Sequence, residues 1–430
     1  MSGTGFVDTY TQRAGRGSVG VPELGTFSPL AGPTIGRNGT VLLGSQQGKV
    51  IALHHDGSAY WNRQLEDLLA ITAPPAVGSD GSVYVIGSMT WTDHRTGRSG
   101  PGGRAKLYRF THDGGVLTNA LTDFPFHEPG PTVVGAPEVV HYAGQDVVIV
   151  PAIYPTLNGV DFHLIAFAAD GCVLHDHSTY LSYGDVTEGG SWELLAESIG
   201  LGGWENGVLP PPAGVPFPGV AIEPPNPQGG DVRLVAINRF NNQTHLYRFC
   251  LGACQPEPGF HPLEVTPHQP ALLSSPVMLP DSHTAIGSAD GVEFAGPSGA
   301  SQPAVSGLGE ILATPSLAAD GRLLLVSKEG SVIGLDAGGA VRSRLELGYG
   351  SIARAAASAN HVFVSTTQGL YTLDATGSTV EFHFPWVNGG IWSPAIGPAG
   401  HVYAMAANVL FVFPAPRMQP IRDHPLDTEP

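Results

Sequence analysis

The chain has 430 residues, 42% of them hydrophobic and only 13% charged, with 58 glycines and 38 prolines. That length suits two average domains or one large repeat protein, and apolar runs such as Val147–Val150 and Leu323–Val326 exclude a disordered Gly/Pro-rich chain. A net charge of −17 without any basic cluster argues against nucleic acid or an anionic membrane surface as partner.

No apolar run approaches the ~18 residues of a transmembrane helix. The opening MSGTGFVDTYTQ lacks a charged segment followed by an apolar one. The expectation is therefore a cytoplasmic protein, or a periplasmic or secreted one if this is a processed form. Cys172 stands alone. Cys250 and Cys254 flank a predicted hairpin turn and suit either a disulfide or two free thiols. Without nearby His or further Cys partners they make a poor zinc site.

Taken in chain order, one pattern of short strands and turn glycines recurs. Unit 1 (33–65) has the Asn38-Gly39 turn, strand Thr40–Gly44, the Gln47-Gly48 turn, strand Val50–Leu53, the Asp56-Gly57 turn and an outer strand with Tyr60 and Trp61. Unit 2 starts at Pro75 and carries Asp80-Gly81, Val83–Ile86, Leu107–Phe110 and Asp113-Gly114. Unit 3 starts near Pro131, with Val147–Val150, His163–Phe167 and Asp170-Gly171. Unit 4 has Gly219–Ile222, Val232–Ile237 and Thr244–Phe249; unit 5, the weakest match, has Ser275–Met278, Thr284–Ile286 and Val292–Phe294.

Unit 6 (315–347) is the most regular, with turns at Asp320-Gly321, Glu329-Gly330 and Asp336–Gly339. Unit 7 has Ala355–Ser358, His361–Val364, Leu370–Leu373 and Val380–Phe384. Unit 8 has Pro394–Ile396, His401–Met405 and Val409–Phe413, and supplies only three strands. The expected fold is all-β: an eight-bladed β-propeller of four-stranded antiparallel blades filling 1–416 as a single domain, with 417–430 as a tail. Residues 5–12 alternate like an outer strand and are expected to complete blade 8 as a clasp, which removes an exposed edge.

The unit P-x-(V/I/L)-x-x-D-G-x-(V/L)-(Y/L)-V, followed by G-x-(V/L) and L-D-x-x-G, resembles the repeats of pyrroloquinoline-quinone-like propellers. That superfamily includes quinoprotein alcohol dehydrogenases and a periplasmic outer-membrane assembly lipoprotein. Units 1, 2, 6, 7 and 8 match well and 3 to 5 loosely. The resemblance implies the fold and not the cofactor. Asp374-Ala-Thr-Gly377 begins like the tryptophan-docking signature, but Phe382 or Phe384 stands where a Trp is expected, and only unit 1 has a Trp nearby, Trp61. No two cysteines are adjacent, no C-x-x-C-H is present, and no Trp is followed by Asp as in WD repeats.

Departures from the repeat point to function, because insertions map to loops on one face. Four stand out: 88–105, 152–161, 238–243 and 175–218. In an up-and-down blade they all emerge on one rim, over blades 2 to 4. The insertion at 175–218 contains an expected short helix from Ser191, with Glu193 and Glu197 near the cap and Leu194, Leu195 and Ile199 on one stripe. It reads either as a lid or as a surface helix on its own blade.

The candidate binding residues of this rim are Trp91, Asp93, His94, Arg95, Tyr180, Tyr183, Trp192 and Trp204, aromatic surface beside charges that suits a protein, peptide or glycan. Acid/base or metal-ligand candidates are His175, His177, Asp185 and Glu188. The Asp-Gly pairs are read as turns, in which Asp bonds local backbone and Gly supplies positive φ. No P-loop, dinucleotide fingerprint, G-x-S-x-G or H-E-x-x-H appears. The leading expectation is a monomeric, non-catalytic scaffold that binds through this rim and takes no cofactor. The alternatives are a lyase or hydrolase at the same channel mouth, metal-assisted or not, and a quinone-dependent oxidoreductase.

Overall fold

The computed structural model describes residues 18–20 and, with internal gaps of which 183–219 is the longest, residues 32–413. The described residues form strands, turns and irregular segments, with no helix among them. The strands gather into eight antiparallel sheets that follow one another along the chain: 34–64, 70–123, 132–182, 220–268, 277–306, 316–346, 356–385 and 395–413. They are called sheets 1 to 8 below.

Alternation along each middle strand explains how the sheets stack. Successive side chains of a strand point to opposite faces. In sheet 1, Val41, Leu43, Ile51 and Leu53 pack with Tyr403, Met405, Leu410 and Val412 of sheet 8. The intervening residues Leu42, Val50 and Ala52 pack, with Trp61, against Val83, Val85, Tyr108 and Phe110 of sheet 2. Each middle strand is thus buried on both faces, which is why it reads as a continuous apolar run. The same exchange links sheets 2 and 3, 4 and 5, 5 and 6, 6 and 7, and 7 and 8, and strands of sheets 3 and 4 touch. The last sheet packs on the first, so the sheets close into a ring.

A second device holds neighbouring sheets. One sheet donates a side-chain hydrogen bond to a carbonyl in the turn between the third and fourth strands of the next. Trp61 Nε1–H donates to His112 O at 3.0 Å, Arg109 Nη1 to Ala169 O at 3.1 Å, and Arg322 Nη2 to Ala375 O at 2.6 Å. Across the ring closure, the Tyr403 hydroxyl donates to His55 O at 2.8 Å. These turns carry the Asp-Gly pairs. Asp56 Oδ1 accepts the Ser58 N–H at 2.9 Å, and its carboxyl is held below the ordinary range chiefly by the Ser58 hydroxyl and N–H. Asp336 Oδ1 accepts from Ala340 N–H at 2.8 Å and is held low by that bond first. Their role is structural, as expected.

Three sequence expectations change. The outer edge of sheet 8 is completed by Ser18–Gly20, pairing antiparallel with Val409–Phe411; residues 5–12 lie outside the described residues, as do 417–430. Segments 88–105, 152–161 and 238–243 are largely strand, because the hairpin ladders simply continue. Residues 175–182 belong to Val173–Ser182, the outer strand of sheet 3. Their polar, Gly- or His-containing composition hides this. A ladder is made by backbone N–H and C=O groups, which need no apolar side chain. The expected helix at Ser191 lies outside the described residues.

Candidate functional site

The middle strands of sheets 2 to 4 are long. They run 10 and 12 residues in sheet 2, 11 and 10 in sheet 3, and 9 and 9 in sheet 4. Elsewhere they run from 4 residues at Leu323–Val326 to 6 at His361–Thr366. Three or more extra residues at about 3.3 Å each carry these hairpins roughly 10 Å or more further than the others. Pairing persists to the ends, at Thr92↔Ser99, Pro155↔Val160 and Phe240↔Gln243. Outer strands follow in sheets 3 and 4: Val173–Ser182 has 10 residues and His261–His268 has 8, against 6 in Val341–Glu346. Short inner strands buttress the bases. Ala70–Ile71 pairs with Ser88 and Gly87, and Thr132–Val133 with Ile153 and Ala152.

The backbone places two candidate binding residues on these extensions. Trp91 pairs with Gly100 near the end of the sheet 2 hairpin, and Tyr180 pairs with Asp161 at the same end of sheet 3. His175 and His177 pair with Ala166 and Leu164, further from that end. Asp93, His94, Arg95, Tyr183, Asp185, Glu188, Trp192 and Trp204 lie outside the described residues. Cys250 sits within strand Gln243–Leu251, paired with Arg233 and His261, and Cys254 lies outside the described residues. Among the described residues no group of three or more His, Cys, Asp or Glu side chains could hold a metal ion.

A second polar feature was missed in the sequence. The first strands of successive sheets touch, from sheet 2 through sheet 5 and from sheet 6 through sheet 8 to sheet 1, and so form the inner wall of the ring. In sheets 1 to 3 and 5 to 8 the first strand is entered at a repeated position, occupied by Pro33, Pro75, Pro137, Pro276, Pro315, Ala355 and Pro394. The flanking residues are small or uncharged: Gly32 and Thr34, Pro74 and Ala76, Ser275 and Val277, Thr314 and Ser316, Ser393 and Ala395. The exceptions are Glu138, after Pro137 in sheet 3, and Arg354, before Ala355 in sheet 7.

Sheets 3 and 7 lie four apart in the order of the described sheets, whichever way round the ring is followed. Glu138 is half-buried and Arg354 keeps exposed surface, yet burial pushes the Glu138 carboxyl up to about 7 and pulls Arg354 down. Both stand at the entries of strands that form the inner wall of the ring. The charge of Arg354 opposes the rise at Glu138, and that of Glu138 opposes the fall at Arg354. Arg354 is oriented by its Nε–H, which donates to Ser316 Oγ at 3.1 Å, and by its backbone N–H to Ser393 Oγ at 3.0 Å.

This raised carboxyl has a stability consequence. Its folded-state pKa, about 7, lies above the ordinary 4.5. The folded state therefore binds the proton more tightly, and the associated stabilisation is full below pH 4.5 and is lost as pH rises to about 7. Glu138→Gln cannot ionise and escapes the loss. Its unfolding free energy is expected to match that of the native protein at about pH 4 and to exceed it at about pH 8, by on the order of 1–2 kcal/mol after discounting for solvent access. Parallel pH profiles for the two proteins would contradict the assignment.

No protein-family model and no curated protein sequence matches the chain. Solved structures do. BamB from Moraxella catarrhalis is 14% identical, with a TM-score of 0.56 over 92% of this chain and 98% of that one. A europium-containing methanol dehydrogenase is 11% identical, with a TM-score of 0.56 over 90% and 92%. Sqt1 from Saccharomyces cerevisiae is 11% identical, with a TM-score of 0.58 over 92% and 99%. The chain is a β-propeller.

The lining does not fit a quinone. Pyrroloquinoline quinone is a tricarboxylate, and among the described residues beside the inner-strand entry positions there is one guanidinium, Arg354, together with one carboxylate, Glu138. Trp61, the one tryptophan in a docking position, is an inter-sheet wedge. It is buried, and a Cβ on Gly114 of sheet 2 would lie 2.6 Å from its Cδ2.

Proposed function

We propose that the protein is a monomeric eight-bladed propeller scaffold that binds a protein or peptide through the extended hairpins of blades 2 to 4. The carrying observation is that, among the described residues, the middle strands of three consecutive sheets are longer than those of the other five, with pairing that persists to the hairpin ends. Binding surfaces are commonly built on the loops of a rigid scaffold, and here the blades outside 2 to 4 keep the minimal hairpin. A polypeptide is favoured over a glycan because the outer strands at 173–182 and 261–268 are long sheet edges. Such an edge can add a strand from a partner through main-chain hydrogen bonds. Trp91 and Tyr180, placed by the backbone on the extensions of sheets 2 and 3, are the aromatic candidates for contact with that partner. No cofactor enters this reading.

A photocrosslinking amino acid placed in the 93–98 segment is expected to capture the partner, identified by mass spectrometry. The same probe at Lys328, in the short turn of sheet 6, is expected to capture nothing specific. Equal capture from both positions, or capture only from sheet 6, contradicts the proposal.

A further inference from the structure

We propose that Glu138 and Arg354 form a binding site for a small zwitterion, a molecule carrying both a carboxylate and an amine, inside the lumen of the ring. This site is separate from the hairpin rim and does not depend on it.

Geometry is the first support. Glu138 opens the inner strand Glu138–Tyr142 of sheet 3, and Arg354 stands two residues ahead of the inner strand Ala356–Ala357 of sheet 7, at entry positions whose counterparts in the other sheets are small or uncharged. Arg354 is anchored through Nε and through its backbone, which leaves its Nη groups for a ligand. Ser316, the Nε partner, is itself fixed by donating its hydroxyl to Ala355 O at 2.6 Å. Among the described residues, neither the Glu138 carboxylate nor the Arg354 Nη groups has a hydrogen-bond or ion-pair partner.

Charge is the second support. The two groups influence each other electrostatically but do not form a salt bridge. Each has lost part of its hydration without gaining a direct partner, a costly arrangement in confined surroundings. A lone cation would satisfy Glu138 and add to the positive charge at Arg354; a lone anion would do the reverse. A molecule whose carboxylate accepts from the Arg354 Nη groups and whose ammonium donates to Glu138 satisfies both and leaves the lumen neutral. Both contacts are charge-assisted hydrogen bonds, the stronger class.

Isothermal titration calorimetry on the full chain with glycine, β-alanine, γ-aminobutyrate and ε-aminocaproate varies the spacing between the two charges. Ethylamine and propionate serve as single-charge controls. One or two neighbouring members of the series are expected to bind saturably, and the controls at least about tenfold more weakly. Glu138→Gln and Arg354→Gln are each expected to weaken the best binder by about tenfold or more. Arg354→Lys, which keeps the charge but not the fork, is expected to fall between. The comparison of zwitterions with controls uses the native chain and needs no variant to fold. Absence of binding across the series overturns the proposal. So does equal binding of the controls, or native affinity in either glutamine variant.

Discussion

Replacing Gly330 with alanine is expected to destabilise the protein by about 2–5 kcal/mol. Gly330 has φ +93°, a left-handed conformation that costs an L side chain roughly 1–2 kcal/mol. A Cβ there would also press on the Tyr349 carbonyl, onto its oxygen and 2.7 Å from its carbon. That neighbour is backbone, so no rotamer change relieves it, and overpacking of this kind adds about 1–3 kcal/mol. The turn cannot shift away either. The Gly330 N–H donates to Ser327 O at 2.9 Å, and its carbonyl accepts from Leu347 N–H at 3.0 Å. Gly321, nine residues earlier, is the control: φ is +83° but nothing lies within 4 Å of its Cβ position. Gly321→Ala should therefore cost only about 1 kcal/mol. Urea midpoints at unchanged m-value would separate the two effects. Equal losses would mean that the turn is not packed as described.

Trp61→Ala is expected to cost about 3–5 kcal/mol, the range for emptying a large aromatic site. The indole lies over the Gly114 turn of the next sheet and beside Phe110, with ring centroids 6.0 Å apart. Trp61→Phe keeps most of that packing and loses the hydrogen bond to His112 O, at a cost of about 1 kcal/mol. The contrast between the variants tells packing from hydrogen bonding. If alanine and phenylalanine behaved alike, the indole would not be the wedge between sheets 1 and 2. The same logic explains why sequence repetition at the Asp-Gly turns is so strong. Each turn is both a reversal of the chain and a docking point for the sheet before it.

Much of the architecture was legible because of this double use. Turn glycines and paired apolar strands repeat at a fixed spacing, and unit 6 shows them without interruption. The inserted segments were also legible, but as loops. Their strand character was hidden because 99–105, SGPGGRA, and 175–182, HDHSTYLS, extend ladders with residues that alone suggest turns or solvent. The clasp was placed a few residues early, at 5–12, because GFVDTYTQ alternates more clearly than Ser18–Gly20, which pairs through backbone.

Glu138 and Arg354 were overlooked for a different reason. Each is a single charge in an ordinary-looking segment. Only alignment of the repeated strand entries, Ala136-Pro137-Glu138 against Thr314-Pro315-Ser316 and Arg354-Ala355-Ala356, shows that small residues stand where these charges do. That signal was present in the repeat and needed only the inner strand to be compared across sheets.

The hairpins of blades 2 to 4 carry the central claim. The direct measurement is the affinity of the crosslinked partner for variants in which one hairpin at a time is cut back to the length seen in sheet 6. Shortening any of the three is expected to leave the melting temperature nearly unchanged, since the core lies in the base of each sheet, and to weaken binding about tenfold or more. Native affinity in all three shortened variants would contradict the account.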